Sequence, residues 1–222
     1  MKKFLFTLLI CAISASVAVA QSRETFEERK ELRKMSKNEL NSKATKAARK
    51  EAKRLKKEGW QPAPGALPLE KQLDRSYLMQ MEYDEDMYPK YMMAEAMSIG
   101  SNYDAAKMQA LELAKQSLAG QIQTEMTSLI ENSVANEQLE AGEAVSVTKS
   151  IMESKNLISQ SIGRVIVVSE VYRTLKNKNK EVLVRVAYNS DMAKKVAKKA
   201  AKQSLEKESE EVRNKLDELL GW

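Results

Sequence analysis

The sequence predicts an α+β fold: a three-stranded antiparallel sheet with helices packed on one face, preceded by an exposed charged helical segment. Stretches with helical periodicity, rich in Ala, Leu, Glu and Lys, make up most of the 222 residues. Three β-rich runs interrupt them, at 91–99, 165–171 and 182–186. Gly and Pro are scarce, at 7 and 4 residues, which favours helices over an all-β sandwich.

The first twenty residues predict a cleaved export signal, and we expect a periplasmic or outer-envelope location. Two lysines precede an apolar run over 4–15, and the small residues Ala18 and Ala20 form a site for cleavage after Ala20. The run is shorter than the roughly 20 residues of a membrane-spanning helix. An uncleaved anchor is one alternative. Acylation of Cys11 is another, although a lipoprotein signal needs a small residue where this chain has Ile10.

Residues 21–58 predict a basic helical extension that is exposed to solvent. They hold fourteen Lys and Arg against seven Asp and Glu, and their apolar stripe is thin. Such a segment can dock on an envelope protein, or on an anionic envelope polymer or lipid surface. Nucleic acid is not an expected partner, because only Phe26 is available to stack on bases. The alternative is a solvated helix whose Glu and Lys side chains pair with each other.

Residues 59–68, with the sequence GWQPAPGALP, predict a linker between this extension and a folded domain at 69–205. Three of the four prolines of the chain occur here together with two glycines, and both residue types break helices. We therefore expect the stable unit to begin near residue 70 and the extension to be dispensable for folding.

The predicted domain begins with a helix at 69–84 and a strand at 91–99. Asn102 or Asp104 can cap a long helix that follows and runs to about residue 132. This helix carries a stripe of small residues that allows close approach to a sheet: Ala106, Ala110 and Ala114.

Two Val-rich runs joined by an Asn- and Lys-rich turn at 177–180 predict a β-hairpin. Valines recur at alternating positions in both runs: Val165, Val167, Val171, Val182, Val184 and Val186. We expect Val165, Val167 and the valines of the second run to be buried with the alanine stripe. Arg185 predicts that the other side of its strand faces solvent, because burying an unpaired guanidinium is costly.

Two further helices complete the predicted fold. One follows a polar connection near Gly142 and ends at Gly163. The other begins after Asn189, Ser190 and Asp191, which can cap it, and 206–222 form its end.

The region at about 90–200 resembles the LPP20 lipoprotein family. The resemblance rests on a strand ending in Gly100-Ser101, on the Asp-Ala-Ala start of the long helix with its alanine stripe, and on the runs at 118–122, 162–167 and 182–186. The family implies a fold similar to the amino-terminal domain of the flagellar T-ring protein. It also implies a non-catalytic, envelope-located domain that takes part in assembly, and it supplies no catalytic residues.

The composition excludes several kinds of catalysis. The chain has no His, and its single Cys falls in the export signal, so His- and Cys-based catalysis and metal ligation are excluded for the mature chain. The sequence also lacks the glycine-rich loops that bind nucleotides. We predict no catalytic residues, no cofactor and no metal ligands, and therefore a protein that is not an enzyme.

Two clusters raise the question of a metal site. Glu82, Asp84, Glu85 and Asp86 form an acidic run, but the run lacks the glycine turn and alternating ligands of a calcium loop, so we predict a solvated loop. Six methionines occur between 79 and 97, and thioethers bind Cu(I). Because neither His nor Cys is available beside them, we assign these methionines to packing.

Two hypotheses for the function follow from these observations. The first is an exported, non-enzymatic cell-envelope protein that acts as an assembly or interaction module. The alternative is a secreted binding protein or hydrolase that acts on a small ligand or an envelope polymer. The lack of His, of a mature Cys and of glycine-rich loops favours the first, and the sequence does not indicate an oligomeric state.

Overall fold

The computed structural model describes residues 26–135 and 141–204, apart from 28, 32 and 39. The predicted export signal at 1–20 and the end of the last helix at 206–222 lie outside the described residues. The chain divides into two compact units, Met1–Ala44 and Thr45–Trp222. In the first unit, the described residues between 26 and 41 are helical (α1), and the large apolar side chains among these described residues are more than half exposed: Phe26, Met35 and Leu40.

The second unit contains a four-stranded antiparallel sheet with the strand order β1-β3-β4-β2. The strands are β1 (Gln61–Pro62), β2 (Tyr91–Gly100), β3 (Ile166–Thr174) and β4 (Lys180–Asn189). The predicted α+β class, antiparallel sheet and hairpin are confirmed. The prediction of three strands is wrong, because two residues of the expected linker add a short strand beside β3.

Helices lie on both faces of this sheet. They are α2 (Lys46–Lys57), α3 (Leu69–Gln80), α4 (Tyr103–Ala135), α5 (Ala141–Glu153), α6 (Lys155–Ser161) and α7 (Ser190–Ser204). α4 packs on β2 and β4, and α5, α6 and α7 pack against α4. On the opposite face, α3 packs on β3 and β2, and α2 packs on α3. The prediction that helices cover one face only is therefore wrong.

The main core lies between α4 and the sheet. The alanine stripe of α4 is fully buried against the valines of β4, and all six residues have no exposed surface: Ala106, Ala110, Ala114, Val182, Val184 and Val186. The predicted contact between stripe and hairpin is confirmed. The approach is so close that a Cβ on Gly100 would lie 2.7 Å from the backbone nitrogen of Ala106.

A β-bulge decides which side chains of β3 are buried. The register with β4 shifts between Val167 and Ser169. Beyond the shift, Val171 lies on the α3 face of the sheet and Glu170 on the α4 face. Val165 is partly buried against the main core, but Val167 stays 37% exposed, so the prediction that Val167 is buried with the β4 valines is wrong.

The predicted caps of two helices are confirmed. The side-chain oxygen of Asn102 accepts a hydrogen bond from the Ala105 N–H at 2.9 Å, at the start of α4. The side-chain oxygen of Asn189 accepts one from the Met192 N–H at 3.0 Å, at the start of α7. Both bonds satisfy amide groups that have no partner within the first turn of a helix.

The segment 59–68, expected to be a linker, is part of the second unit. Trp60 and Ala63 are only 5% and 7% exposed. The guanidinium carbon of Arg173 on β3 lies 4.5 Å from the centre of the Trp60 ring, a cation–π contact. Since α2 also packs within this unit, its compact part begins at Thr45 and not near residue 70.

Candidate interaction surface

One face of α2 presents basic side chains only. We call five exposed residues the α2 basic face: Lys46, Arg49, Lys50, Lys53 and Lys57. At 3.6 residues per turn they fall within an arc of about 100° and extend over about 16 Å. None of the five forms an ion pair with a described residue. Like charges at these spacings repel, so the face is electrostatically unfavourable without an anionic partner.

The opposite side of α2 is anchored to the fold. Ala48 and Ala52 are 0% and 2% exposed, and their small side chains let α2 lie close against α3. Thr45 begins the helix: its Oγ1 accepts the Ala48 N–H at 3.3 Å, and its own N–H donates to the Asp74 carboxylate at 3.0 Å. This anchoring directs the basic face away from α3.

The carboxylates near α2 are bound to other cations. Arg54 bonds Glu51 and, at 3.0 Å, Glu58. The hydrogen bond from Arg54 lowers the pKa of Glu51, and the same bond raises the pKa of Arg54. Lys56 lies 3.1 Å from Glu70, whose pKa is lowered by a backbone hydrogen bond and by this lysine. Because these carboxylates are paired with Arg54 and Lys56, they do not neutralise the α2 basic face.

The structure divides the basic segment predicted at 21–58. Its described residues form α1 in the first unit and α2 in the second. The sequence indicated the excess of positive charge but not which side of α2 is exposed, because α2 was expected to lie outside the folded domain. The side that is exposed depends on α3, which is distant in sequence.

A buried polar cluster between α4 and β3 was not predicted. Glu170, which is 9% exposed, accepts a hydrogen bond from the Tyr103 hydroxyl and lies 2.9 Å from the Lys107 ammonium. The Tyr103 and Tyr172 rings meet edge to face, with centroids 5.3 Å apart. Burial raises the pKa of Glu170, whereas the ammonium favours its ionised form. Each of these contacts is within the fold, so the cluster ties α4 to β3.

The acidic run, predicted to be a solvated loop, lies between α3 and β2, and the side chains of Glu82, Glu85 and Asp86 are exposed. The Asp84 carboxylate accepts the backbone N–H groups of Asp86 and Tyr88, at 3.0 and 2.8 Å. Glu82 forms an ion pair with Lys90 at 2.7 Å. The described part of the chain contains no group of three or more acidic, His or Cys side chains placed to hold a metal ion.

The methionines between 79 and 97 lie in different environments. Met92 is buried in the main core on the α4 face. Met79 is buried on the opposite face of the sheet, where Met93 packs nearby. Met81 and Met87 are each 75% exposed. The sheet itself separates the two buried groups.

A cleft of about 300 Å³ is lined by residues of α4 and α5: Gln123, Thr124, Thr127, Ser128, Glu131 and Met152. The Gln123 amide donates to the carbonyl oxygens of Ile151 and Met152, at 3.2 and 2.8 Å. A small molecule entering this cleft would meet hydroxyls and one carboxylate, with no cation among the described lining residues.

None of the described helices is both long enough and apolar enough to cross a membrane. Comparison of the chain with protein-family models, with curated proteins and with solved structures finds no match. The resemblance to the LPP20 family therefore remains an expectation from the sequence motifs.

Proposed function

We propose that this chain is an exported, non-enzymatic interaction module of the cell envelope that docks on an anionic polymer or lipid surface through the α2 basic face. The periplasmic or outer-envelope location follows from the export signal predicted at 1–20. One observation carries the docking proposal: five exposed cations share one face of a helix whose opposite face packs against its own fold. The expected ligand groups are phosphates or carboxylates.

The energetics of the face favour binding by charge. Each basic residue near an anionic surface contributes about 1 kcal/mol, and salt screens this attraction within about 10 Å at moderate ionic strength. The apolar residues Ala48 and Ala52 are already buried against α3, so α2 has no apolar face to insert into a bilayer. Binding is therefore expected to be electrostatic and to weaken steeply with salt.

Two probes test the proposal and separate its two sources of anionic groups. The purified full-length protein is titrated with phosphatidylcholine vesicles with and without roughly one-third phosphatidylglycerol, and separately with soluble polyphosphate. Binding to the anionic vesicles alone indicates a lipid surface, and binding to polyphosphate alone indicates a polymer. Binding to neither overturns the proposal.

Matched variants test whether the α2 basic face is responsible. Replacing Lys50, Lys53 and Lys57 by Gln is expected to weaken binding by about 100-fold at low salt, the equivalent of about 3 kcal/mol. A control removes the same charge elsewhere, at the exposed positions Arg164, Lys176 and Lys178. Equal loss in both variants would mean that net charge, and not this face, determines binding.

A further inference from the structure

The two sides of the sheet differ in whether the outward backbone groups of their strands are hydrogen-bonded within the chain. On the β3 side, the Ala63 N–H donates to the Glu170 carbonyl oxygen at 3.2 Å, continuing the pairing with β1. The Glu170 N–H donates to the side-chain oxygen of Gln72 at 2.7 Å, and the Gln72 amide is held by the Leu67 carbonyl at 2.6 Å. Outward backbone groups of β3 near its bulge are thus satisfied within the chain.

The other edge strand, β2, is ten residues long and pairs with β4 alone among the described strands. The Ser190 N–H donates to the Lys90 carbonyl oxygen at 3.0 Å, and the register from Tyr91 to Gly100 continues from this pair without a shift. Antiparallel pairing alternates, so the even-numbered residues of β2 bond β4. The odd-numbered residues direct their backbone N–H and C=O groups outward: Tyr91, Met93, Glu95, Met97 and Ile99.

Within the described residues, one of these outward groups has a partner in the chain. The Gln121 side chain of α4 donates to the Met93 carbonyl oxygen at 3.0 Å. Beyond it, Met97 and Ile99 are each 49% exposed on the α3 side of the sheet, and Leu113 of α4, on the opposite side, is 40% exposed. Among the residues that the structure describes, the edge therefore combines backbone groups that have no partner with exposed apolar side chains.

Edge strands normally have features that prevent pairing with another chain: a Lys or Pro residue, a β-bulge, or a length of only a few residues. β2 has none of them: its sequence, YMMAEAMSIG, contains neither Lys nor Pro, and its register is unbroken. Its single charged residue, Glu95, is neutralised within the chain by Arg185, whose Nε lies 2.8 Å from the carboxylate. Another β-strand can approach this edge without desolvating an unpaired charge.

We propose that β2 pairs antiparallel with β2 of a second copy of this chain, so that two four-stranded sheets become one continuous sheet across a two-fold axis. A two-fold axis brings the same edge of both copies together, and antiparallel pairing sets odd-numbered outward groups against odd-numbered outward groups. Because each Glu95 is neutralised internally, the two edges do not repel each other. On the α3 side of the joined sheet, Met97 and Ile99 of both copies would lose exposed surface. This proposal does not depend on the α2 basic face.

The register of the pair is also restricted. Setting Glu95 of one copy directly opposite Glu95 of the other places like charges together, which is destabilising. Setting Glu95 opposite Met97 keeps the two carboxylates apart and retains every outward pair between residues 93 and 99. We expect that register.

The test is the oligomeric state of the purified full-length protein, measured by sedimentation velocity over a wide concentration range. The wild type is expected to form a dimer. Met97→Pro removes an outward N–H that is not used in pairing with β4, and proline is tolerated at such edge positions. This variant should raise the dimer dissociation constant by at least about tenfold. Met97→Thr keeps the N–H and the β propensity, and it should remain dimeric.

A monomeric wild type overturns the proposal, and would leave a segment of the same chain or a different protein as the occupant of the edge. A dimer that is unchanged by Met97→Pro also overturns it, because the interface would then lie elsewhere. If Met97→Pro loses its thermal transition, Met97→Glu replaces it. In the expected register the new carboxylate lies directly opposite Glu95 of the other copy, and like charges there are destabilising, so a folded monomer supports the pairing and a persistent dimer contradicts it.

Discussion

Arg185 of β4 and Glu95 of β2 lie directly opposite each other in the sheet, with the guanidinium Nε 2.8 Å from the carboxylate. A second guanidinium nitrogen donates to the hydroxyl of Ser76 on α3 at 2.9 Å, and Ser76 has no exposed surface. An arginine expected to mark a solvent-facing side of β4 instead joins two strands to the helix that covers that side. The charge is accommodated there because it is paired, which the prediction from sequence did not consider.

Replacing Arg185 by Met should lower the free energy of unfolding by about 1–3 kcal/mol, because it leaves the Ser76 hydroxyl and the Glu95 carboxylate without their donor. Glu95→Gln keeps an acceptor oxygen opposite Arg185 and should cost less than Arg185→Met. Urea unfolding at neutral pH measures both. The reverse order would show that the carboxylate, and not the bond to α3, stabilises this face.

Val184→Asp should cost at least about 3 kcal/mol, because it places an unpaired carboxylate at a position with no exposed surface in the main core. Leu183 lies on the side of β4 that α3 partly covers, and its side chain is half-buried. The comparison variant is Leu183→Asp. We expect it to cost about 1–2 kcal/mol, between an exposed strand position and a core position. Thermal and urea unfolding compare the two variants. A tolerated Val184→Asp would mean that β4 is not a core strand.

Gly100→Ala should destabilise the protein by about 1–3 kcal/mol, because the new Cβ would lie 2.7 Å from the backbone nitrogen of Ala106 and force β2 and α4 apart. Gly163→Ala is the matched control, since a Cβ there would meet no atom within 4 Å. That change is expected to alter stability by less than about 0.5 kcal/mol. Equal effects in chemical unfolding would show that close approach at Gly100 is not the cause.

Two truncations test where the folded unit begins. A chain that starts at Thr45 keeps α2 and should retain a cooperative thermal transition. A chain that starts at Gly59 exposes the side of α3 on which Ala48 and Ala52 pack, and should melt at a lower temperature. Calorimetry measures the thermal transitions of both truncated proteins. Identical transitions would show that the stable unit begins near residue 70.

The stability of the protein should depend on the protonation of Glu170. Burial raises its pKa above the ordinary value of 4.5 in the folded state. Between these two pKa values the folded state binds more protons than the unfolded state, so this contribution to stability falls as the pH rises through the interval. Glu170→Gln removes the contribution, and the wild type should lose stability relative to the variant over the pH range above 4.5.

The comparison is made by urea unfolding at several pH values in that range. Burial also raises the pKa of Glu125, but this group is present in both proteins and its effect cancels in the difference. A difference that does not change with pH would show that the Lys107 ammonium offsets the burial of Glu170 completely.

Features that depend on a few neighbouring residues could be predicted from the sequence. The valines of 182–186 alternate with the period of a strand, and the alanines of α4 recur every four residues, so the faces that meet in the main core were already defined. Asn102 and Asn189 cap α4 and α7 through hydrogen bonds that reach only three residues along the chain. The positive charge of the segment around α2 is likewise a property of composition alone.

Features that depend on contacts between distant segments were decided by the tertiary structure. The run 165–171 shows no local sign of a bulge, because the extra residue exists only relative to β4. The bulge places Val171 and Glu170 each on the face opposite to the one that simple alternation predicts. β1 has two residues, one of them proline, and becomes a strand because β3 lies beside it. Ala48 and Ala52 bury little area by themselves, and they hold α2 in place because α3 presents a surface for them. Sequence therefore determined that α2 is basic, and packing against α3 determined which side of it faces outward.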